Sequence, residues 1–158
     1  MNLVRSLTVG CLIVVLLFTA GCTDSSQHIS AAPTVSPSTI NSNSTVERVE
    51  VYHFHGNTQC TSCIAVGDLA EKTVNANFKT ELASGRVVFA HVNYDLPENA
   101  ALAAKYGVTG SSLWLGIYDA NGFHRQQDMD VWYMTGDKEK YKEYLASIIT
   151  RRLNGDLS

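Results

Sequence analysis

Val49-Glu50-Val51-Tyr52-His53-Phe54-His55-Gly56-Asn57-Thr58-Gln59-Cys60-Thr61-Ser62-Cys63 is the stretch on which the fold turns. Residues 49–55 are rich in β-branched and aromatic side chains, the composition of a strand. Gly56-Asn57-Thr58 interrupts it. Beyond Cys60 the periodicity changes. Val66, Ala70, Val74, Phe78 and Leu82 recur at four-residue steps and predict a helix from about Cys60 to Leu82, with Asn75-Ala76-Asn77 as the place where it bends or splits. Two thiols therefore open a helix directly after a strand.

That placement has chemical consequences. A cysteine at a helix N-terminus meets free backbone N–H groups and the positive end of the helix dipole, both of which stabilise a thiolate. Thiol pKa values so placed fall from about 8.5 into a range of about 3.5 to 7.5. Cys63 lies one turn further on and on the same side, within reach of a mixed disulfide at Cys60. Cys60 is the predicted nucleophile and Cys63 the resolving thiol. The Thr61 and Ser62 hydroxyls are candidates to donate toward the Cys60 sulfur. Strand alternation sends His53 and His55 to one side and Phe54 to the other, which makes both histidines candidates for shaping the site. A purely structural disulfide closing so small a loop would gain little chain entropy. A zinc site normally takes four Cys or His ligands. Cys60 and Cys63 with His53, His55 and His91 supply enough donors, though in no familiar spacing. Redox chemistry, metal binding and a redox-silent binding role all remain open on the residues alone.

Outward from the dithiol, Val87 to Val92 reads as a second strand after the Ser84-Gly85 stop. Asp95, Pro97 and Glu98 introduce a short helix, Glu98 to Lys105, closed by Gly107. Leu113 to Tyr118 is a third strand. Asp119-Ala120-Asn121-Gly122 is a hairpin turn, and Phe123 to about Gln127 pairs back as the fourth. Tyr141, Tyr144, Leu145, Ile148 and Ile149 mark a closing helix, with Asp137 and Glu139 at its start and Arg151, Arg152 and Gly155 at its end. The order β-α-β-α-β-β-α predicts an α/β fold: a mixed four-stranded sheet with helices on both faces. Trp114, Trp132, Tyr141 and Tyr144 are read as packing residues, His91 as structural, and Asp128 and Asp130 as surface acids.

Cys-x-x-Cys after a strand in a βαβ setting is the thioredoxin-like redox arrangement. Val92-Asn93-Tyr94-Asp95 with Pro97 and Glu98, then Ala103-Ala104-Lys105-Tyr106-Gly107-Val108, is similar to the thioredoxin segment that runs into the active-site-facing loop. More closely, Tyr52-His53-Phe54-His55-Gly56 ahead of the dithiol, with Val131-Trp132 and Gly136-Asp137-Lys138-Glu139, resembles the nitrophenyl compound nitroreductase subunit family of ArsF type. These are thioredoxin-like proteins of bacteria and archaea. The resemblance spans Val49 to Leu153 and implies a thioredoxin-like fold. The family name implies a link to reduction of nitroaromatic compounds. The chain holds no GxGxxG fingerprint for a flavin or nicotinamide, and no cofactor is expected. Thioredoxins keep a buried acid beneath the dithiol as a proton acceptor, and His53 falls near that place. The role so implied is acceptor for Cys63. Two positions depart from the thioredoxin pattern. Gln59 stands where thioredoxins carry Trp, and Ser112 where they carry the cis-proline that faces the sulfurs. Ser112 is a site candidate by position, and the missing proline leaves more room for a metal ion.

The 158 residues, 45% apolar and 17% charged, suffice for one domain with a buried core. A net charge of −3 with scattered Lys and Arg gives no basic stripe, and no nucleic-acid partner is expected. Arg5 followed by the apolar run Leu7 to Phe18 reads as an export signal, since a spanning helix takes about 20 apolar residues. Thr19-Ala20-Gly21-Cys22 resembles the lipobox of prokaryotic lipoproteins, with Thr19 where Leu is usual. Residues 1–21 are then a lipoprotein signal peptide, Cys22 the lipidated mature N-terminus, and 22–46, rich in Ser, Thr and Asn, a flexible tether to a domain at 47–158. Asn43-Ser44-Thr45 in the tether is a glycosylation-type sequon. The expected location is the extracytoplasmic face of the cell membrane, where disulfides persist. Of the four cysteines, Cys11 would leave with the signal and Cys22 would carry lipid. Only the Cys60/Cys63 pair remains for chemistry. The expected function is a membrane-tethered thiol–disulfide oxidoreductase exchanging electrons with a protein redox partner. Its rival is a metal-binding or redox-silent thioredoxin-like module, or a subunit of a larger reductase system.

Overall fold

The computed structural model describes residues 45–158. The expected signal peptide, Cys22, Asn43 and nearly all of the tether lie outside the described residues. Four strands, β1 (Arg48–His55), β2 (Val87–Asn93), β3 (Ser112–Asp119) and β4 (Gly122–Asp128), form one sheet in the order β2-β1-β3-β4. β1 and β2 run parallel, and β3 is antiparallel to both β1 and β4. Four helices complete the fold: α1 (Thr61–Asn77), α2 (Lys79–Ser84), α3 (Ala100–Tyr106) and α4 (Lys138–Leu153). The mixed sheet, the parallel βαβ half and the antiparallel hairpin make this the thioredoxin-like α/β arrangement expected above. No helix among the described residues is long and apolar enough to cross a membrane.

Alternation along β1 divides the core. Val49 and Val51 turn to the face covered by α1 and α4, where they pack with Val66, Leu69, Ala70 and Val74 of α1 and Tyr141, Leu145 and Ile149 of α4. Glu50, Tyr52 and Phe54 turn to the other face. There Phe54, Val92 and Tyr106 form a smaller cluster joined by Tyr52, Leu102 and Trp114. Gly116 makes that second face possible, because a Cβ there would lie 1.9 Å from the Tyr106 hydroxyl. Val46, at the expected end of the tether, is itself buried in the larger cluster. The Tyr141 hydroxyl donates to the Val66 carbonyl at 2.8 Å, tying α4 to α1 inside the core.

Three details differ from expectation. The long helix divides one residue after Asn77: Phe78, buried at the break, adopts φ −125° and ψ 37° before α2 begins. The helix expected from Glu98 opens as a 3₁₀ turn, Pro97–Asn99, and becomes α-helical only at Ala100. Asp128, expected at the surface, is buried; its Oδ1 accepts from the backbone N–H groups of Asp130 and Val131 and from the Tyr144 hydroxyl. Those two N–H groups open the 3₁₀ turn Asp130–Met134, which carries Val131 into the core. Burial pushes the Asp128 carboxyl above its ordinary pKa against those donors. Asp130 is exposed, as expected.

Candidate functional site

The parallel pairing of β1 with β2 leaves the C-terminal end of β1 free to feed a loop into α1, and the dithiol lies where that loop meets the helix. The loop is pinned from below. Asn57 N–H donates to Asp95 Oδ2 at 2.7 Å, Asn93 Nδ2 to Asn57 Oδ1 at 2.8 Å, and Tyr94 N–H to the His55 carbonyl at 2.9 Å. Asn57, Asn93 and Asp95 were not assigned to the site from sequence, because their meeting depends on which strand ends lie side by side.

Cys60 is the N-cap of α1, with extended backbone at φ −78° and ψ 162°. Its Sγ accepts the Cys63 backbone N–H at 3.1 Å. No acidic residue occupies the first turn, so nothing there offsets the positive end of this 17-residue helix. Cys60 and Cys63 are joined as a disulfide, their Cα atoms 5.0 Å apart. Cys60 is exposed and Cys63 half-buried, the asymmetry a nucleophile and a resolving partner require. Thr61 and Ser62 stand exposed on the outside of the same turn, and the donor to the Cys60 sulfur is the Cys63 backbone rather than either hydroxyl.

Beneath the dithiol, on the α1 side of the sheet, lies a group of three histidines. His53 and His55 do share one side of β1, their rings stacked 5.5 Å apart. His53 is 1% exposed. Its Nδ1 meets Nδ1 of His91 at 3.0 Å, and His91 Nε2 approaches Glu71 Oε2 on α1 at 3.5 Å. His53 Nε2 is buried with no hydrogen-bond partner of good geometry. Burial, followed by the neighbouring His91 and His55, pushes the His53 pKa down to about 4, against a smaller upward pull from the Cys63 backbone. Gly67 admits the ring, since a Cβ there would lie 2.3 Å from His53 Nδ1. His55 Nδ1 is engaged with the Gly56 carbonyl at 3.0 Å, at the mouth of the loop. His91, read as structural, is the direct partner of His53. The two are register partners across β1 and β2, a relation that only the pairing of the strands reveals.

Ser112 begins β3 and is 2% exposed. It faces the opposite side of the sheet from the histidines, its Oγ donating to the Gly110 carbonyl at 2.8 Å and accepting from Trp114 Nε1 at 2.9 Å. Among the described residues no three His, Cys, Asp or Glu side chains converge in the manner of a metal site.

Sheet topology and dithiol together define a thioredoxin-like α/β domain bearing a Cys-x-x-Cys disulfide at a helix N-terminus. No protein-family model matches the chain, and no curated protein is significantly similar to it. Among solved structures, it is similar to a thioredoxin from Thermus thermophilus, at 18% identity and TM-score 0.42, over 66% of this chain and 76% of that one. A structure of the first two thioredoxin domains of Naumovozyma dairenensis Eps1p aligns at 18% identity and TM-score 0.44, over 78% of this chain. The match spans 43% of that two-domain structure. A malarial protein aligns at 18% identity and TM-score 0.37, over 61% of this chain and 96% of that one. Likenesses at this level carry no functional argument.

Proposed function

We propose that this protein is an extracytoplasmic thiol–disulfide oxidoreductase, held at a membrane by lipid on Cys22 and exchanging electrons with a protein partner through Cys60 and Cys63. The observation that carries the reading is the exposed Cys60 sulfur at the N-cap of α1, receiving the Cys63 N–H and bonded to the Cys63 sulfur. In the reducing direction, the Cys60 thiolate attacks a partner disulfide and forms a mixed disulfide. Cys63 then attacks Cys60 Sγ, closing the internal disulfide and releasing the partner as a dithiol. The proposal of a lipoprotein signal rests on Arg5, Leu7 to Phe18 and Cys22, and that of ArsF-type kinship on residues 52–56, 131–132 and 136–139.

Alkylation before and after a reductant tests the central claim. The expected result is a reversible mass shift confined to Cys60 and Cys63, and a Cys63→Ser variant that retains partner proteins in reducible mixed disulfides. A dithiol that neither opens nor closes under thiol buffers overturns it.

A further inference from the structure

We propose that His91 and Glu71 form the proton path between the buried His53, beneath the dithiol, and solvent. The inference rests on the oxidoreductase reading and extends it to residues that reading leaves idle. Three observations converge. His53 is buried and its Nε2 has no partner, while its ring lies beside the Cys63 backbone. Its other nitrogen, Nδ1, is 3.0 Å from His91 Nδ1. The far nitrogen of His91 is 3.5 Å from a Glu71 carboxylate oxygen, and those two side chains are 35% and 49% exposed. The chain thus runs from a sealed interior to the surface in two steps.

The direction follows from the chemistry of neutral imidazole, which holds one N–H and one bare nitrogen. With the proton on His53 Nδ1, donated to His91, Nε2 is bare toward the Cys63 side. When Cys63 resolves a mixed disulfide, its S–H must lose a proton. Nε2 takes that proton while Nδ1–H passes to His91. The positive charge therefore appears on the partly exposed His91 beside Glu71, rather than on buried His53, where burial opposes it. His91 Nε2–H then releases its proton through Glu71 to water. Meanwhile the Cys63 thiolate attacks Cys60 Sγ, the Cys60–Cys63 bond forms, and the Cys60–partner bond breaks with its electron pair on the departing sulfur. The shifted His53 tautomer presents Nε2–H to the Cys63 backbone. The ionisable groups facing His53 are His91 from β2, His55 from its own strand, and Asp68 and Cys63 from α1, while Glu71 of α1 meets His91. From β3 it meets Leu113, which is apolar.

An aromatic disulfide such as 5,5′-dithiobis(2-nitrobenzoate), added to the fully reduced protein, separates the two steps. Cys60 attack releases one coloured thiolate, and Cys63 attack on the resulting mixed disulfide releases the second. In His91→Gln the first release is expected to be unchanged. The second should slow by about tenfold or more near neutral pH and recover as pH rises toward about 8.5, because Cys63 must then lose its proton directly to solvent. Glu71→Gln, on the surface of α1, should move the second release in the same direction by less. Native-like rates and pH profiles for the second release in both variants overturn the proton path while leaving the dithiol reading intact. Absence of a second release in the native protein overturns both.

Discussion

At Cys60 one backbone conformation decides much of the chemistry. Extended dihedrals at the N-cap turn its sulfur back over the first turn of α1, where the Cys63 N–H reaches it; one position later the sulfur would lie on the side of the helix without that donor. His53 carries the opposite lesson, a polar ring kept neutral by its surroundings. Its pKa of about 4 lies below the ordinary value of 6.5, so the unfolded chain binds a proton between those values and the folded protein does not. Stability is therefore undiminished by this group above about pH 6.5 and falls as pH drops toward about 4, by about 3 kcal/mol when complete. Denaturant unfolding between pH 4 and 7 is expected to show that slope, and His53→Gln to flatten it. An equal slope in the variant would assign the acid sensitivity elsewhere. Gly67 is the condition for all of this, since any side chain there must displace the imidazole.

Among the elements, α1 bears on both stability and site, and α4 holds it in place. Asp137 caps α4 by accepting the Lys140 N–H at 3.1 Å, as its place ahead of an amphipathic run led one to expect. The buried bond from Tyr141 to the Val66 carbonyl then fixes α4 against α1. Tyr141→Phe should cost about 1 kcal/mol in chemical denaturation and leave Cys60 alkylation rates unchanged. An altered alkylation rate would mean that α4 reaches the dithiol through α1. Element order, the dithiol at a helix start and the shared side of His53 and His55 were all legible in sequence, because each is a local matter of period and punctuation. The pairing of His53 with His91 was not, since 38 residues separate them and only the β1–β2 register unites them. Burial of Asp128 escaped notice for a related reason: an acid beside a turn looks solvated until its carboxylate is seen collecting backbone N–H groups. The split of the long helix was legible to within a residue: Asn75-Ala76-Asn77 marked it, and the break falls at buried Phe78 immediately after.

For the whole molecule, the two clusters on opposite faces of the sheet hold the domain together independently of the cysteines. The disulfide closes a loop of only four residues, whose entropic contribution is about 2 kcal/mol. Reduction is thus expected to leave far-ultraviolet circular dichroism unchanged at 25 °C and to lower Tm by roughly 10 °C or less. Loss of the folded signal on reduction would make the bond a structural staple. At the opposite end of β1 lies a second polar network. Buried Glu50 accepts from the Tyr106 hydroxyl at 2.7 Å and the Tyr118 hydroxyl at 3.1 Å, and pairs with Arg48 at 2.9 Å. The chain enters the domain beside it, through Val46 and Glu47, whose N–H donates to the Tyr118 carbonyl. From that doorway β1 runs straight for eight residues, roughly 25 Å, before the loop that delivers Cys60. Entrance and reactive sulfur thus stand near opposite ends of one strand, so the segment preceding Val46 joins the domain far from the sulfur that a partner disulfide must reach.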